Sequence, residues 1–264
     1  MTRVLSGAVL VLLAISAVWF ASAAVFLAIA IALTWAAALE VMSIAKARGF
    51  GAPRVLSAVA AVVTLAAIAT AESATMAAAI VAAVMIAIGV VTLGRWRPDF
   101  DALSAVSVAV FPSIYVALPI ALLVAIRVAA GPAALFLLML TVMISDTAQY
   151  YTGRALGRRP LAPAISPKKT IEGAVGGLIF GSMTLVIAGA WWLPMVHPVI
   201  RGLVGVAIVS LGIAGDLFES MLKRSAGVKD SSALIPGHGG ILDRIDALLF
   251  AAPVYYIVVV ASSQ

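Results

Sequence analysis

The sequence contains no cysteine among its 264 residues, and only 11% of its residues are charged. The missing cysteine excludes a disulfide, a thiolate nucleophile and a zinc–thiolate centre, so that a metal would need oxygen or histidine ligands. A soluble domain has roughly 25% charged residues. Because 64% of the residues are hydrophobic, the composition excludes a water-soluble globule, a disordered chain and a fibrous repeat.

Apolar runs of about twenty residues recur along the chain, as expected for helices that cross a bilayer. We predict an all-α polytopic integral membrane protein with about nine transmembrane helices. The first two runs could form one bent helix, and Pro112 and Pro119 interrupt the fifth, so eight or ten crossings stay open. The predicted spans are 4–20, 22–44, 55–71, 74–93, 102–126, 132–153, 172–193, 202–222 and 246–262.

The basic residues are unevenly distributed. With a cytoplasmic N-terminus, all 17 Lys and Arg residues except Arg127 and Arg201 fall in the inner segments. The positive-inside rule favours this orientation, and it accounts for the net charge of +6 without a nucleic-acid partner. We expect one continuous membrane domain with two parts: alanine-rich scaffold helices in 1–130, and catalytic helices with cytoplasmic loops in 131–264.

Acidic residues concentrate in the second part, where seven of the eleven lie between positions 146 and 246. Asp146 lies near the end of the sixth predicted span, at a depth where a carboxylate is costly and therefore suggests a function. The alternative is an interfacial residue that reaches water.

A basic loop follows Asp146. It suits either an anionic lipid surface or a phosphate group. Its end favours the phosphate, because we expect Ser166 and Pro167 to start a helix whose N-terminal dipole attracts anions beside Lys168 and Lys169. The basic residues of the loop are Arg154, Arg158, Arg159, Lys168 and Lys169.

The segment 215–224, GDLFESMLKR, places two acids, a hydroxyl and a base on one helical face: Asp216, Glu219, Ser220 and Lys223. Taken alone, Glu219 and Lys223 could be a structural pair four residues apart. Asp216 is harder to explain structurally, because it lies inside the predicted bilayer edge.

The loop that follows, KDSSALIPGHGGILDRID at 229–246, is rich in glycine. Gly237, Gly239 and Gly240 allow the backbone to approach an anion closely, just before the last helix begins. His238 lies among them and is either a catalytic group or a packed residue.

The last helix begins with three charged residues. Asp243 and Asp246 are three residues apart and share a helical face. Arg244 between them is either a partner of a carboxylate or a phosphate ligand.

Carboxylates surrounded by Lys and Arg indicate a place where a cation and an anion meet. Magnesium characteristically binds through one or two carboxylates together with substrate phosphates. The sequence contains no GxxxxGK[ST] loop, so the site is not of the Walker A type. The residues therefore predict phosphoryl or nucleotidyl transfer.

The last 120 residues resemble the phosphatidate cytidylyltransferase family, also called CDP-diacylglycerol synthases. The family signature has S-x-apolar-K-R, then K-D, then P-G-H-G-G-apolar-x-D-R-apolar-D. Two upstream blocks, SDT-x-x-Y and SPKKT-x-EG, are also similar. The matching residues are Ser145 to Thr147, Tyr150, Ser166 to Gly173, Ser220, Lys223, Arg224, Lys229, Asp230, Pro236 to Gly240, Asp243, Arg244 and Asp246.

The resemblance implies an enzyme that joins CTP to phosphatidic acid, giving CDP-diacylglycerol and pyrophosphate, at the cytoplasmic face of the inner membrane. It further implies a homodimer. The residue chemistry favours Mg²⁺, with a second cation left open, and the charge distribution indicates no nucleic acid. Two alternatives stay open: a transferase acting on another lipid phosphate, and a transporter of a phosphorylated solute. A transporter would place polar residues at the midplane of several helices.

On this resemblance, Asp216 and Asp243 are expected to be the principal metal ligands, with Asp246 and Asp230 as second candidates. Lys223, Arg244 and His238 are expected to act in catalysis together with these acids. The expected substrate-binding residues are Asp146, Ser166, Lys168, Lys169, Ser220, Arg224, Lys229, Gly237, Gly239 and Gly240.

Overall fold

Helices form most of the chain in the computed structural model, which describes residues 2–95, 97, 101–232, 234 and 239–261. A short antiparallel hairpin of β1 (Pro160–Ala162) and β2 (Ser166–Thr170) precedes α7. The helical elements are α1 (Thr2–Phe20), α2 (Ala23–Ala47), α3 (Arg54–Thr70), α4 (Ala74–Leu93), α5 (Ala102–Pro112), a π-helical segment (Ser113–Ala117), α6 (Leu118–Leu156), α7 (Ile171–Trp192), α8 (Pro198–Ser225) and α9 (Leu242–Ala261).

Within this described part, five helical stretches are long and apolar enough to cross a membrane: Ala23–Ala47, Ala74–Leu93, Ala102–Leu156, Ile171–Trp192 and Pro198–Ser225. The prediction of an all-α protein with membrane-spanning helices is therefore confirmed at this level. Seven of the predicted spans match the bounds of one observed helix to within four residues, whereas 102–126 and 132–153 fall on α5, the π-helical segment and α6.

The longest stretch is not one regular helix. Pro112 lacks the N–H that would continue an α-helix, and a π-helical turn follows it directly. Further on, Gly131 has φ 85° and ψ 172°, a conformation that glycine adopts readily and other residues avoid. The helix is therefore interrupted at Gly131, between the spans predicted at 102–126 and 132–153.

The chain divides into two compact units. Unit 1 comprises Met1–Leu10, Ser22–Val124 and Leu222–Arg244, and unit 2 comprises Val11–Ala21, Ala125–Met221 and Ile245–Gln264. The predicted division after residue 130 stays a prediction.

Unit 1 is built on helices α2 to α5, in which α3 packs against α2, α4 and α5. A cluster of the buried residues Ala60, Ile88 and Ala109 joins α3, α4 and α5. Small side chains at these contacts allow close packing, which is the main source of helix association in a bilayer.

Unit 2 is held by close contacts between α6, α7, α8 and α9. The glycines of α7 lie against α6, where a Cβ at Gly173 would come within 2.7 Å of the carbonyl oxygen of Gln149. The rings of Phe218 and Phe250 join α8 to α9 with centroids 5.3 Å apart. Tyr255 of α9 is fully buried and donates a hydrogen bond of 2.7 Å to the carbonyl oxygen of Ala134 in α6.

The expectation that a helix starts at Ser166 and Pro167 is wrong. Residues 166–170 form β2 and pair with β1, and α7 begins only at Ile171. Thr170 is the N-cap, since its hydroxyl accepts a hydrogen bond of 3.1 Å from the backbone N–H of Gly173. Lys168 and Lys169 therefore lie on a strand that leads into the helix and not in its first turn.

We expect Tyr255→Phe to destabilise unit 2 by about 1 kcal/mol, because the buried carbonyl of Ala134 loses its side-chain donor. Thermal unfolding in detergent micelles, followed by circular dichroism, should show a drop in Tm of a few degrees. Tyr256→Phe is the matched control, since Tyr256 is only half-buried on the same helix. Equal Tm values for the Tyr255→Phe variant and the wild type would contradict the assignment.

Candidate active site

Three carboxylates and one lysine form an acidic cluster in unit 2, which comprises Asp146, Lys169, Asp216 and Asp246. Lys169 of β2 forms an ion pair with Asp216 of α8, and their side chains are 22% and 35% exposed. Asp146 of α6 accepts a hydrogen bond of 3.0 Å from the amide of Gln149. Asp246 interacts electrostatically with both other acids and with Lys169, so four elements supply one charged neighbourhood.

A close helix crossing positions the two acids of α8 and α9. A Cβ at Gly215 would lie 2.6 Å from the backbone oxygen of Asp246 and 3.1 Å from the ring of Phe250. Glycine is therefore required at 215 if the backbone that carries Asp216 is to pass this close to Asp246.

The hairpin positions Lys169. Glu172, in the first turn of α7, accepts hydrogen bonds from the backbone N–H groups of Arg158 (3.0 Å) and Arg159 (3.2 Å). Thr170 caps the same helix. These contacts fix both ends of the hairpin, so that Lys169 of β2 is held close to Asp216.

A second polar network lies in unit 1 around Asp243, at the start of α9. One carboxylate oxygen of Asp243 pairs with Lys223, and both side chains are only 10% exposed. The other oxygen accepts from the backbone N–H groups of Gly240 (2.7 Å) and Ser231 (3.2 Å), and the hydroxyl of Ser231 lies 2.7 Å from it. Asp243 thus holds together α8, the loop and α9.

Glu40 of α2 completes this network and was not predicted. Its side chain is 5% exposed and accepts hydrogen bonds from the loop and from the start of α9. The sequence contained one signal, a carboxylate inside an otherwise apolar run. Because residues 1–130 are predicted to be scaffold helices, no role in the site is predicted for Glu40.

The remaining predicted residues lie on the surface or flank these sets. Lys168, Lys229, Asp230 and Arg244 are exposed, and Ser166 and Ser220 are half-buried. Arg224 is exposed and donates to the carbonyl oxygen of Val228 at 3.2 Å.

The glycine-rich loop is only partly described. Gly239 adopts φ +78° beside Asp243, and Gly240 is buried. Gly237 and His238 lie outside the described residues.

The described part of the chain contains no group of three His, Asp or Glu side chains arranged to enclose a metal ion. The acidic cluster nevertheless fits one mode of binding. Magnesium is usually held by one or two protein carboxylates and completed by substrate phosphates and water. Asp146, Asp216 and Asp246 supply carboxylates of that kind beside Lys169.

The family model described as "Cytidylyltransferase family" matches residues 1–262. The chain belongs to this family. It is 41% identical over 128 residues to the phosphatidate cytidylyltransferase of Aquifex aeolicus, an alignment that covers 48% of this chain and 47% of that protein.

Two further relatives carry the same name. The phosphatidate cytidylyltransferase of Synechocystis sp. is 51% identical over 120 residues (45% of this chain, 40% of that protein), and that of Haemophilus influenzae is 44% identical over 132 residues (46% and 44%). The chain thus spans less than half the length of these relatives. The family resemblance inferred from the sequence is confirmed.

We expect Lys169→Met and Asp216→Asn to be energetically coupled. Each single change leaves one half-buried charge without its nearest opposite charge, whereas the double change removes both, so the coupling free energy should be about 1 kcal/mol. Unfolding by a denaturing detergent in mixed micelles would measure it for all four proteins. Lys168→Met serves as the control for Lys169→Met because Lys168 is exposed. Strictly additive effects would show that the ion pair is energetically irrelevant.

Proposed function

We propose that this protein transfers the cytidylyl group of CTP to phosphatidic acid, giving CDP-diacylglycerol and pyrophosphate. The observation that carries the proposal is the acidic cluster in a chain of the cytidylyltransferase family, where Lys169 pairs with Asp216 beside two further carboxylates. The relatives named phosphatidate cytidylyltransferase support the choice of CTP and phosphatidic acid.

In this reaction an oxygen of the lipid's phosphate monoester attacks the α-phosphorus of CTP. The bond between the α-phosphorus and the oxygen that bridges to the β-phosphorus breaks, and pyrophosphate leaves with that electron pair. No protein nucleophile is needed. The chain's own contribution is to position both phosphates and to neutralise their charge.

We assign cation binding chiefly to Asp216 and Asp246, with Asp146 beside them. Mg²⁺ bound there would supply positive charge to the phosphate oxygens as the new bond forms. Lys169 pairs with Asp216, and a cation held by Asp216 in its place would leave the lysine available to a phosphate oxygen. Asp243 as a principal metal ligand, Asp230 as a further one and a second cation stay predictions. The carboxylate of Asp243 contacts Lys223, Ser231 and Gly240.

Besides Lys169, the loop before α9 and the start of that helix carry basic residues that can bind phosphate. Lys229 at the start of the loop and Arg244 in the first turn of α9 are exposed. Since ammonium and guanidinium groups pair with phosphate oxygens, we assign Lys229 and Arg244, on either side of this loop, to the triphosphate of CTP. A role for His238 in protonating the leaving pyrophosphate stays a prediction.

We further propose nine crossings, a cytoplasmic N-terminus and a site that faces the cytoplasm of the inner membrane. The distribution of basic residues supports this orientation. A site at that interface would receive CTP from water and the lipid phosphate from the bilayer plane. The homodimer is carried only by the family resemblance.

The activity test uses purified protein, phosphatidic acid, Mg²⁺ and CTP labelled in the cytosine ring. We expect label in the lipid phase from CTP and none from ATP labelled in its base. Asp216→Asn should lower the rate by about 10²-fold or more, because charge stabilisation is removed. Chelation of Mg²⁺ should abolish the reaction. Glu72→Gln, an exposed acid between α3 and α4, is the control and should retain full activity.

Each other outcome has a distinct meaning. A folded wild-type protein that leaves phosphatidic acid unlabelled overturns the proposed reaction, and other lipid phosphates would then be offered as acceptors. Labelled product that survives Asp216→Asn undiminished keeps the reaction but refutes the acidic cluster as its site.

The orientation can be mapped with single cysteines, because the chain has none of its own. We introduce Ala164→Cys in the hairpin turn or Met195→Cys after α7, both exposed positions. A membrane-impermeant maleimide should label the cysteine at 195 in intact cells, and the one at 164 only after lysis, because one helix separates them. Labelling of position 164 in intact cells would reverse the proposed orientation.

A further inference from the structure

We infer that Glu40 is a positioning residue, which holds the loop before α9 and the first turn of α9 in the geometry that CTP requires. This role rests on the proposed function. Glu40 lies in α2, seven residues before the helix ends at Ala47, or about 10 Å along the axis. A carboxylate buried in an apolar helix is costly unless it is fully hydrogen-bonded, so its partners indicate what it does.

Every contact of Glu40 that carries the argument is made about 200 residues further along the chain. One carboxylate oxygen accepts from the hydroxyl of Ser232 (2.7 Å) and the backbone N–H of Ile241 (3.0 Å). The other accepts from the backbone N–H of Leu242 (2.8 Å) and lies 3.0 Å from the hydroxyl of Ser231. A single side chain therefore ties α2 to both ends of the loop.

Two of these donors belong to the start of α9. The first N–H groups of a helix have no partner within the helix, and its N-terminus carries partial positive charge. Glu40 supplies both an acceptor and a full negative charge at that end. It acts as a cap from another helix, and it does so where α9 presents Asp243 and Arg244.

The packing around the carboxylate is tight. A Cβ at Gly240 would overlap both the carboxylate of Glu40 and the hydroxyl of Ser231. Glycine at 240 is thus required for the approach. Ser231 also contacts Asp243, which in turn pairs with Lys223, so a shift of Glu40 is transmitted to both charged residues.

These contacts occupy both oxygens of Glu40, which leaves it no role in touching substrate. Its effect on the reaction would come through the loop, where we place the triphosphate of CTP. A displacement of about 1 Å in such a binding element is enough to cost up to 10²-fold in rate. The affinity for CTP should therefore depend on Glu40, and that for phosphatidic acid should not.

The test compares full-length wild type, Glu40→Gln, Ser232→Ala and Glu72→Gln in micelles. Glu40→Gln keeps the size of the side chain but removes its charge. It replaces one carboxylate oxygen, an acceptor, with an NH₂ group, which is a donor. We expect hydrogen exchange in the peptide 239–246 to rise about tenfold, because its amides lose their acceptor. The KM for CTP should rise about tenfold while the KM for phosphatidic acid changes less than twofold.

Two controls define the size of the effect. Glu72→Gln removes an exposed acid from the same unit and should leave exchange and both KM values at wild-type levels. Ser232→Ala removes one of the contacts and should give a smaller rise in exchange. It also keeps the inference testable if Glu40→Gln does not fold.

Unchanged exchange at 239–246 in Glu40→Gln and Ser232→Ala would overturn the inference, whatever the activity. Faster exchange with wild-type KM values, and a rate reduced only in proportion to the folded fraction, would also overturn it, since Glu40 would then be merely structural. A wild-type protein that is inactive on CTP and phosphatidic acid would instead overturn the proposed function. The exchange data would still decide whether Glu40 holds the start of α9.

Discussion

The free energy needed to bury a charge among apolar helices governs where this chain places its polar residues. A buried ionised group is tolerated only when partners replace the water it has lost. Both units meet this requirement in the same way. In unit 1 Lys223 pairs with Asp243 and Glu40 is surrounded by donors, and in unit 2 Lys169 pairs with Asp216.

The backbone contributes as much as the side chains. Glu40, Asp243 and Glu172 all accept hydrogen bonds from backbone N–H groups in loops or at a helix start, where no partner exists within the helix. A carboxylate in such a place provides an acceptor to backbone N–H groups that have no partner within a helix.

The sequence predicted the helices well and the site in part, for a physical reason. Apolar runs report burial in lipid directly, so α3, α4 and α7 lie close to their predicted bounds. The expected helix start at Ser166 and Pro167 is wrong because this pair has the same local pattern as a helix start, and only the pairing with β1 makes the segment a strand. Similarly, Asp216 was identified from its own position, but its pairing with Lys169 depends on the hairpin.

Glu40 could not have been assigned from local pattern at all. Its donors lie about 200 residues away along the chain. Two of them are backbone N–H groups, which every residue except proline has, so the residue types do not reveal them. A carboxylate in an apolar run signals only that partners must exist. Which partners they are is decided by tertiary packing, through the close approach that Gly240 allows.

The two ion pairs differ in a way that suits different tasks. Lys169 and Asp216 are 22% and 35% exposed, and lysine is a flexible point charge, so both charges of this pair remain accessible to water. Lys223 and Asp243 are each 10% exposed, and Asp243 is further held by backbone donors. Breaking that pair would separate two charges that are buried together, which is costly. The half-buried pair is therefore the one to which our proposal assigns ion binding, and the buried pair is suited to keeping the loop in place.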